Sequence, residues 1–171
     1  MSQDLTNEQA KYSKQAVLAR TIGTGASMGV AFYFFWSIVS FFKFTSYPAH
    51  YYIKDSINMV FDIPRWAQIF VTAFVMVLIS ICLALVYYVL AKKVRSIWMG
   101  IAYGAFIALM HLFIIHPLFI GESLFFHSAA STFTIFNMHI LFGISIGYSI
   151  SFDYTESLCH RKEIQVLNKQ G

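Results

Sequence analysis

SIWMGIAYGAFIALMHLFIIHPLFIG, residues 96 to 121, runs for 26 positions without an Asp, Glu, Lys or Arg. A helix needs about 20 apolar residues to cross the hydrocarbon core of a bilayer. This stretch is therefore long enough for one crossing. Runs at 21–42, 66–91 and 127–152 have the same character, the last extending an apolar stretch that begins at Leu124. Over the whole chain of 171 residues, 58% are hydrophobic and 12% charged, about half the charged share of ordinary soluble domains, which is about 25%. A soluble domain of this size could not cover so much apolar surface, whereas a lipid-facing one has no need to. The expected fold is an all-α polytopic membrane protein, with four transmembrane helices in an antiparallel bundle. It reads as one domain with a cytoplasmic N-terminal arm at 1–20, a transmembrane domain at 21–152 and a cytoplasmic tail at 153–171. The first run lacks the short apolar core and small-residue cleavage site of a signal peptide, so it is expected to stay as a helix.

Lys and Arg orient the bundle. Nine of the twelve fall on one side: Lys11, Lys14 and Arg20 in the arm, Lys92, Lys93 and Arg95 between the second and third runs, and Arg161, Lys162 and Lys169 in the tail. Only Lys43, Lys54 and Arg65 fall on the other. Positive residues stay inside, which places both termini in the cytoplasm. Cys82 lies in an apolar run and Cys159 in the charged tail, so the cysteines give neither a disulfide framework nor a CxxC. The mixed-charge tail is expected to be a solvated end that could dock on lipid or a partner. In the first outer loop, Ile53, Ile57, Val60 and Phe61 recur at helical spacing, with Lys54, Asp55, Asn58 and Asp62 between them. That pattern predicts a short amphipathic helix on the membrane surface, with Tyr47, Tyr51, Tyr52 and Trp66 at the headgroup level.

Three small-xxx-small steps mark helix faces that admit a neighbouring backbone: Gly25 and Gly29, Gly100 and Gly104, Gly143 and Gly147. Counted inward from Arg20, Arg95 and Asp153, all three pairs lie at nearly the same depth. A cytoplasmic waist shared by helices one, three and four is the expected arrangement.

Histidines complete the pattern. At 100° per residue His111 shares the face of Gly100 and Gly104, and His139 that of Gly143 and Gly147, with Ser131 and Thr132 on the same side. Their depths differ by only about 3 Å at 1.5 Å per residue, so the two imidazoles are expected to meet inside the bundle. His116 falls about 140° from His111 on an ideal α-helix and is expected to turn outward, near Glu122 and His127. Ionisable residues within a span suggest function by default. His111 and His139 are thus candidate cofactor ligands for haem or a metal, and His116, Glu122 and His127 are weak candidate metal ligands. The expected reading is nevertheless the structural one, in which the two inner histidines hydrogen-bond and join helices, and no cofactor is expected. Asn137 faces away from His139, toward another helix or a second copy of the chain.

Other chemistry has no carrier. No acid lies deep in a span, as a coupled transporter's proton relay would require, and there is no P-loop, dinucleotide fingerprint, HEXXH or nucleophile elbow. The expected partners are the lipid bilayer and other membrane proteins or the chain itself, and no nucleic acid.

SIWMGIAYG, the apolar stretch that ends in HPLF, and GYSISFDY at the end of the fourth run together resemble the YqhR family, membrane proteins of spore-forming Gram-positive bacteria. The resemblance covers most of the chain from the first run onward. It implies a small four-helix protein of the cytoplasmic membrane, with a role in the envelope or in sporulation, and it carries over no catalytic residue. The functional expectation is a non-enzymatic membrane component acting through protein or lipid partners. The alternative is a haem-, metal- or proton-handling protein that uses His111 and His139.

Overall fold

The computed structural model describes residues 2–50, 52, 64–120 and 129–170. Within them the protein is helical, without a strand. Helix α1 spans Ser2–Phe41, α2 Arg65–Ala91 and α3 Ile97–Met110. A π-turn at His111–Ile115 carries α3 into the short α4, His116–Ile120, and α5 spans Ala129–Gln170. Four segments are long and apolar enough to cross a membrane: Gln15–Phe41, Trp66–Ala91, Ile97–Phe119 and Ala129–Cys159. The amphipathic helix expected between Pro48 and Pro64 lies outside the described residues, as do Tyr51, Glu122 and His127.

The outermost helices run on past their apolar stretches. Helix α1 begins at Ser2, within the polar arm. The tail is likewise helix through Gln170. Neither stretch contains a Gly or Pro from Ser2 to Ile22 or from Tyr148 to Gln170. Once a span has nucleated the helix, each added residue gains a backbone hydrogen bond at low cost. Where the two helices leave their apolar stretches, the Arg20 guanidinium lies 3.0 Å from Glu156 and 3.6 Å from Asp153.

At its other end α1 stops at a tight cap. Lys43 adopts φ 60°, the Lys43 N–H donates to Ser40 O at 3.0 Å, and the Phe44 N–H donates to Val39 O at 2.9 Å. This is the Schellman pattern, with lysine in the left-handed position that glycine usually takes.

Glycine sets the helix pairs, but not as one shared waist. A Cβ at Gly25 would stand 2.8 Å from Ile81 Cα, and one at Gly29 2.8 Å from Val77 Cα. Both glycines of α1 therefore face α2. The Ser80 hydroxyl crosses that seam and donates to Gly25 O at 2.7 Å. A second seam joins α3 to α5. There a Cβ at Gly100 would lie 2.9 Å from Ile144 Cα, and one at Gly104 2.7 Å from Ile140 Cα. In both seams the contacting numbers rise along one helix as they fall along the other, so each pair has an antiparallel register. Equal depth was the basis for expecting α1 against α3 and α5, but depth does not choose a partner. Three glycine pairs at one height are equally compatible with two separate seams.

The core divides along the bundle. At the end where the termini and the Lys92–Ser96 turn lie, the termini end, Ala84, Tyr87, Ile107, Phe142, Ile146 and Ile150 pack together. At the opposite, loop end the core is Trp36, Ala49, Leu112, Ile135 and Met138. Phe32 touches both. The Lys92–Ser96 turn is tied down from α5, where the Ser151 hydroxyl donates to Val94 O at 3.1 Å, and the Lys92 ammonium sits 4.0 Å above the Tyr88 ring.

Candidate functional site

Three histidines and a set of aromatic rings fill the loop end. The site begins at Trp36, near the C-terminal end of α1 and 1% exposed. Its indole N–H donates to Tyr47 O at 2.9 Å, which draws the chain after α1 back over the bundle. The Ser46 N–H reaches Ser131 Oγ on α5 at 3.2 Å, tying the same segment to the opposite helix. Trp36 stacks on His111, with centroids 5.4 Å apart and planes at 25°. His139 meets Trp36 and Phe32 edge to face, at 6.2 Å and 5.1 Å.

His111 and His139 come together. Their ring centroids are 5.0 Å apart, with planes at 72°. His139 is fixed from its own helix, since its Nδ1–H donates to Ile135 O at 2.7 Å. That bond selects the tautomer and leaves the Nε2 lone pair free to accept. His111 Nε2 is buried with no hydrogen-bond partner among the described residues. Orphaned buried polar atoms are rare in native proteins and call for an explanation.

His116 departs from expectation. It is fully buried, with its Nδ1 2.9 Å from the Tyr52 hydroxyl and its ring 4.7 Å from that of Tyr47. The cause is local. Pro117 has no N–H to answer the Phe113 carbonyl, and in an α-helix its ring would collide with that carbonyl. The chain relieves this by widening one turn, so that the His116 N–H donates to His111 O, five residues back. Residues five apart in such a turn lie over one another as residues four apart do in an α-helix. His116 is thereby rotated inward, onto the side that carries His111. The Tyr52 ring stands edge-on to both, 5.2 Å from His111 and 5.7 Å from His116.

Other expected members of the site sit elsewhere. Ser131 is buried and serves the Ser46 contact. Thr132 lines a groove of about 350 Å³ between α3 and α5 whose other lining side chains are apolar. Asn137 neither crosses to another helix nor needs a second copy, because its amide donates to Phe133 O on its own helix at 2.7 Å. Among the described residues no three His, Cys, Asp or Glu side chains converge as metal ligands. Phe32, Trp36, Tyr47 and Tyr52 carry much of the site and do not emerge from the sequence pattern. The available signal was Trp36 itself, the single tryptophan inside the first apolar run and not at its boundary, whereas tryptophan favours membrane interfaces.

The family described as "Conserved membrane protein YqhR" matches residues 2–165. The chain is 28% identical over 149 residues to the uncharacterized protein YqhR of Bacillus subtilis (strain 168), an alignment that covers 82% of this chain and 79% of that protein. No solved structure matches.

Proposed function

We propose that this chain, which belongs to the YqhR family of conserved membrane proteins, is a non-enzymatic component of a bacterial cytoplasmic membrane. In this reading both termini lie in the cytoplasm, and the protein works through protein or lipid partners at its termini end. The nine-to-three distribution of Lys and Arg supports the orientation. The observation that carries the docking role is the continuation of α1 and α5 as helices beyond their apolar spans. Residues 2–14 precede one span and 160–170 follow the other, reaching about 20 Å and about 16 Å at 1.5 Å per residue. Lys162 and Val166 are exposed on the second extension, so it presents both a charge and an apolar group.

Two measurements test the reading. In a C82A/C159A background, thiols introduced at Ser56 and Ser123 should react with an impermeant reagent in intact cells, and thiols at Ser2 and Asn168 should not. Labelling at Ser2 or Asn168 would reverse the orientation. A photo-crosslinker at Lys162 or Val166 should give discrete adducts that the same group at Ile79 does not give. Equal adducts at all three positions would remove the docking role.

A further inference from the structure

We propose that the Lys92–Ser96 turn between α2 and α3, together with Trp98, is a binding surface for an anionic phospholipid. The inference goes beyond the docking role of the helical extensions. It rests neither on that role nor on the orientation of the chain.

Position comes first. One span ends at Ala91 and the next begins at Ile97, so the turn stands at the edge of the hydrocarbon. Lys92, Lys93 and Arg95 give it three positive charges. Lys93 and Arg95 are exposed. So are the apolar side chains beside them, Val94, Ile97 and Trp98, the last to 74%. Cations set against exposed apolar groups match a molecule whose anionic phosphate is joined to acyl chains. An inorganic anion would answer the charges alone. Tryptophan favours the headgroup level, and basic residues at that level are drawn to anionic headgroups.

The charges are not spent within the protein. Asp153 and Glu156, acids at the same end of the bundle, are turned to Arg20. Among the described residues, Lys93 and Arg95 have no acidic partner. The Lys92 ammonium lies 4.0 Å from the centre of the Tyr88 ring and 5.4 Å from that of Tyr154. Aromatic faces attract a cation without cancelling its charge.

The turn is also held in place. Val94 stands between the two exposed cations and is bonded through both of its backbone groups. Its N–H donates to Ala91 O at 2.9 Å, and its carbonyl accepts the Ser151 hydroxyl at 3.1 Å. The Met99 N–H donates to Ser96 O at 3.1 Å and fixes the start of α3. A surface ordered in advance loses little freedom when it binds.

The test reconstitutes the full chain in vesicles, in a W66F background. Trp36 is buried, so Trp98 is then the lipid-facing tryptophan. Its fluorescence is quenched by phosphatidylglycerol brominated near the headgroup end of its chains and diluted into phosphatidylcholine. Brominated phosphatidylcholine, diluted to the same fraction into phosphatidylglycerol, gives the reference. The ratio should show a preference of at least about threefold for the anionic lipid at Trp98. K93Q/R95Q should bring it close to one, while K11Q/K14Q, an equal loss of charge elsewhere at the same end, should leave it unchanged. Each single variant, K93Q or R95Q, should lose part of the preference, which carries the comparison if the double variant fails to fold. Equal quenching by the two lipids in the W66F protein would overturn the surface. An equal loss in K11Q/K14Q and K93Q/R95Q would do the same, because general attraction would then suffice. Loss of the preference under inorganic phosphate, but not under chloride at the same ionic strength, would overturn lipid as the occupant.

Discussion

The two ends of the bundle are closed by opposite means. Toward the termini, glycine removes side chains so that backbones touch. Toward the loops, Trp36, Tyr47, Tyr52, Phe32 and three histidines fill the space with rings. Lipid is as apolar as a leucine side chain, so burial gives little drive for helices to associate within a membrane. Close packing and hydrogen bonds have to supply it. One end gains close packing by taking atoms away and the other by adding them. The first should therefore break when atoms are added and the second when they are removed.

The largest expected effect is at the loop end. Trp36→Ala empties a space bounded by Phe32, His111 and His139 and leaves Tyr47 O without its donor. It should cost about 3–5 kcal/mol in a detergent unfolding titration. A loss below about 1 kcal/mol would mean that the rings are loosely held. At the termini end, Gly104→Leu puts a side chain where even a Cβ would lie 2.7 Å from Ile140 Cα. It should cost about 3 kcal/mol, the upper part of the overpacking range. Gly23→Leu is its control, since a Cβ there meets nothing within 4 Å. If the two leucine variants unfold together, the seam does not organise the bundle.

A smaller effect belongs to the Tyr52–His116 contact. Tyr52→Phe should cost about 0.6 kcal/mol and at most about 2, the range for polar contacts in membrane bundles. Tyr52 lies outside the four spans, and burial raises its phenol well above the ordinary value of 10.0, with the neighbouring Tyr47 adding to the rise. In the folded protein the proton is thus held more tightly than in the unfolded chain. The resulting stability is fully present below pH 10 and is lost as the pH climbs further. Unfolding followed above pH 10 should steepen in the wild type relative to Tyr52→Phe, and parallel curves would mean that the phenol is not sequestered. The smallest effect is at Arg20. Its ion pairs with Asp153 and Glu156 are largely exposed, so Arg20→Gln should cost about 0.5 kcal/mol and lose that difference at high salt.

The same contrast explains what the sequence disclosed. Span length and glycine spacing depend on a fixed rise and a fixed 100° turn, so the four crossings and the glycine faces could be read from pattern alone. Face and depth together put His111 opposite His139. Gly25 and Gly29 were readable as a packing face but not as a face for α2, because partner choice depends on how whole helices settle. His116 was lost for a different reason. An ideal α-helix would turn it outward, while Pro117 forces the preceding turn to widen. Trp36 lies on α1, while Tyr47 and Tyr52 lie on the chain that follows it. Their convergence depends on the fold back from Lys43, where a lysine occupies a position that patterns reserve for glycine.

Each glycine seam joins two consecutive crossings, and this bears on how the protein is made. The first seam closes within residues 25–84 and the second within 100–147, so each hairpin has its own complementary surface, and the first can close before the second has been synthesised. The ribosome could deliver them to the bilayer one hairpin at a time. What remains is a meeting of two finished pieces, in which Phe32 and Trp36 on the first hairpin find His139 and Phe142 on the second. A chain severed in the Lys92–Ser96 turn should accordingly reassemble from its separately expressed halves, with the rings at the loop end serving as the mark by which each half knows the other.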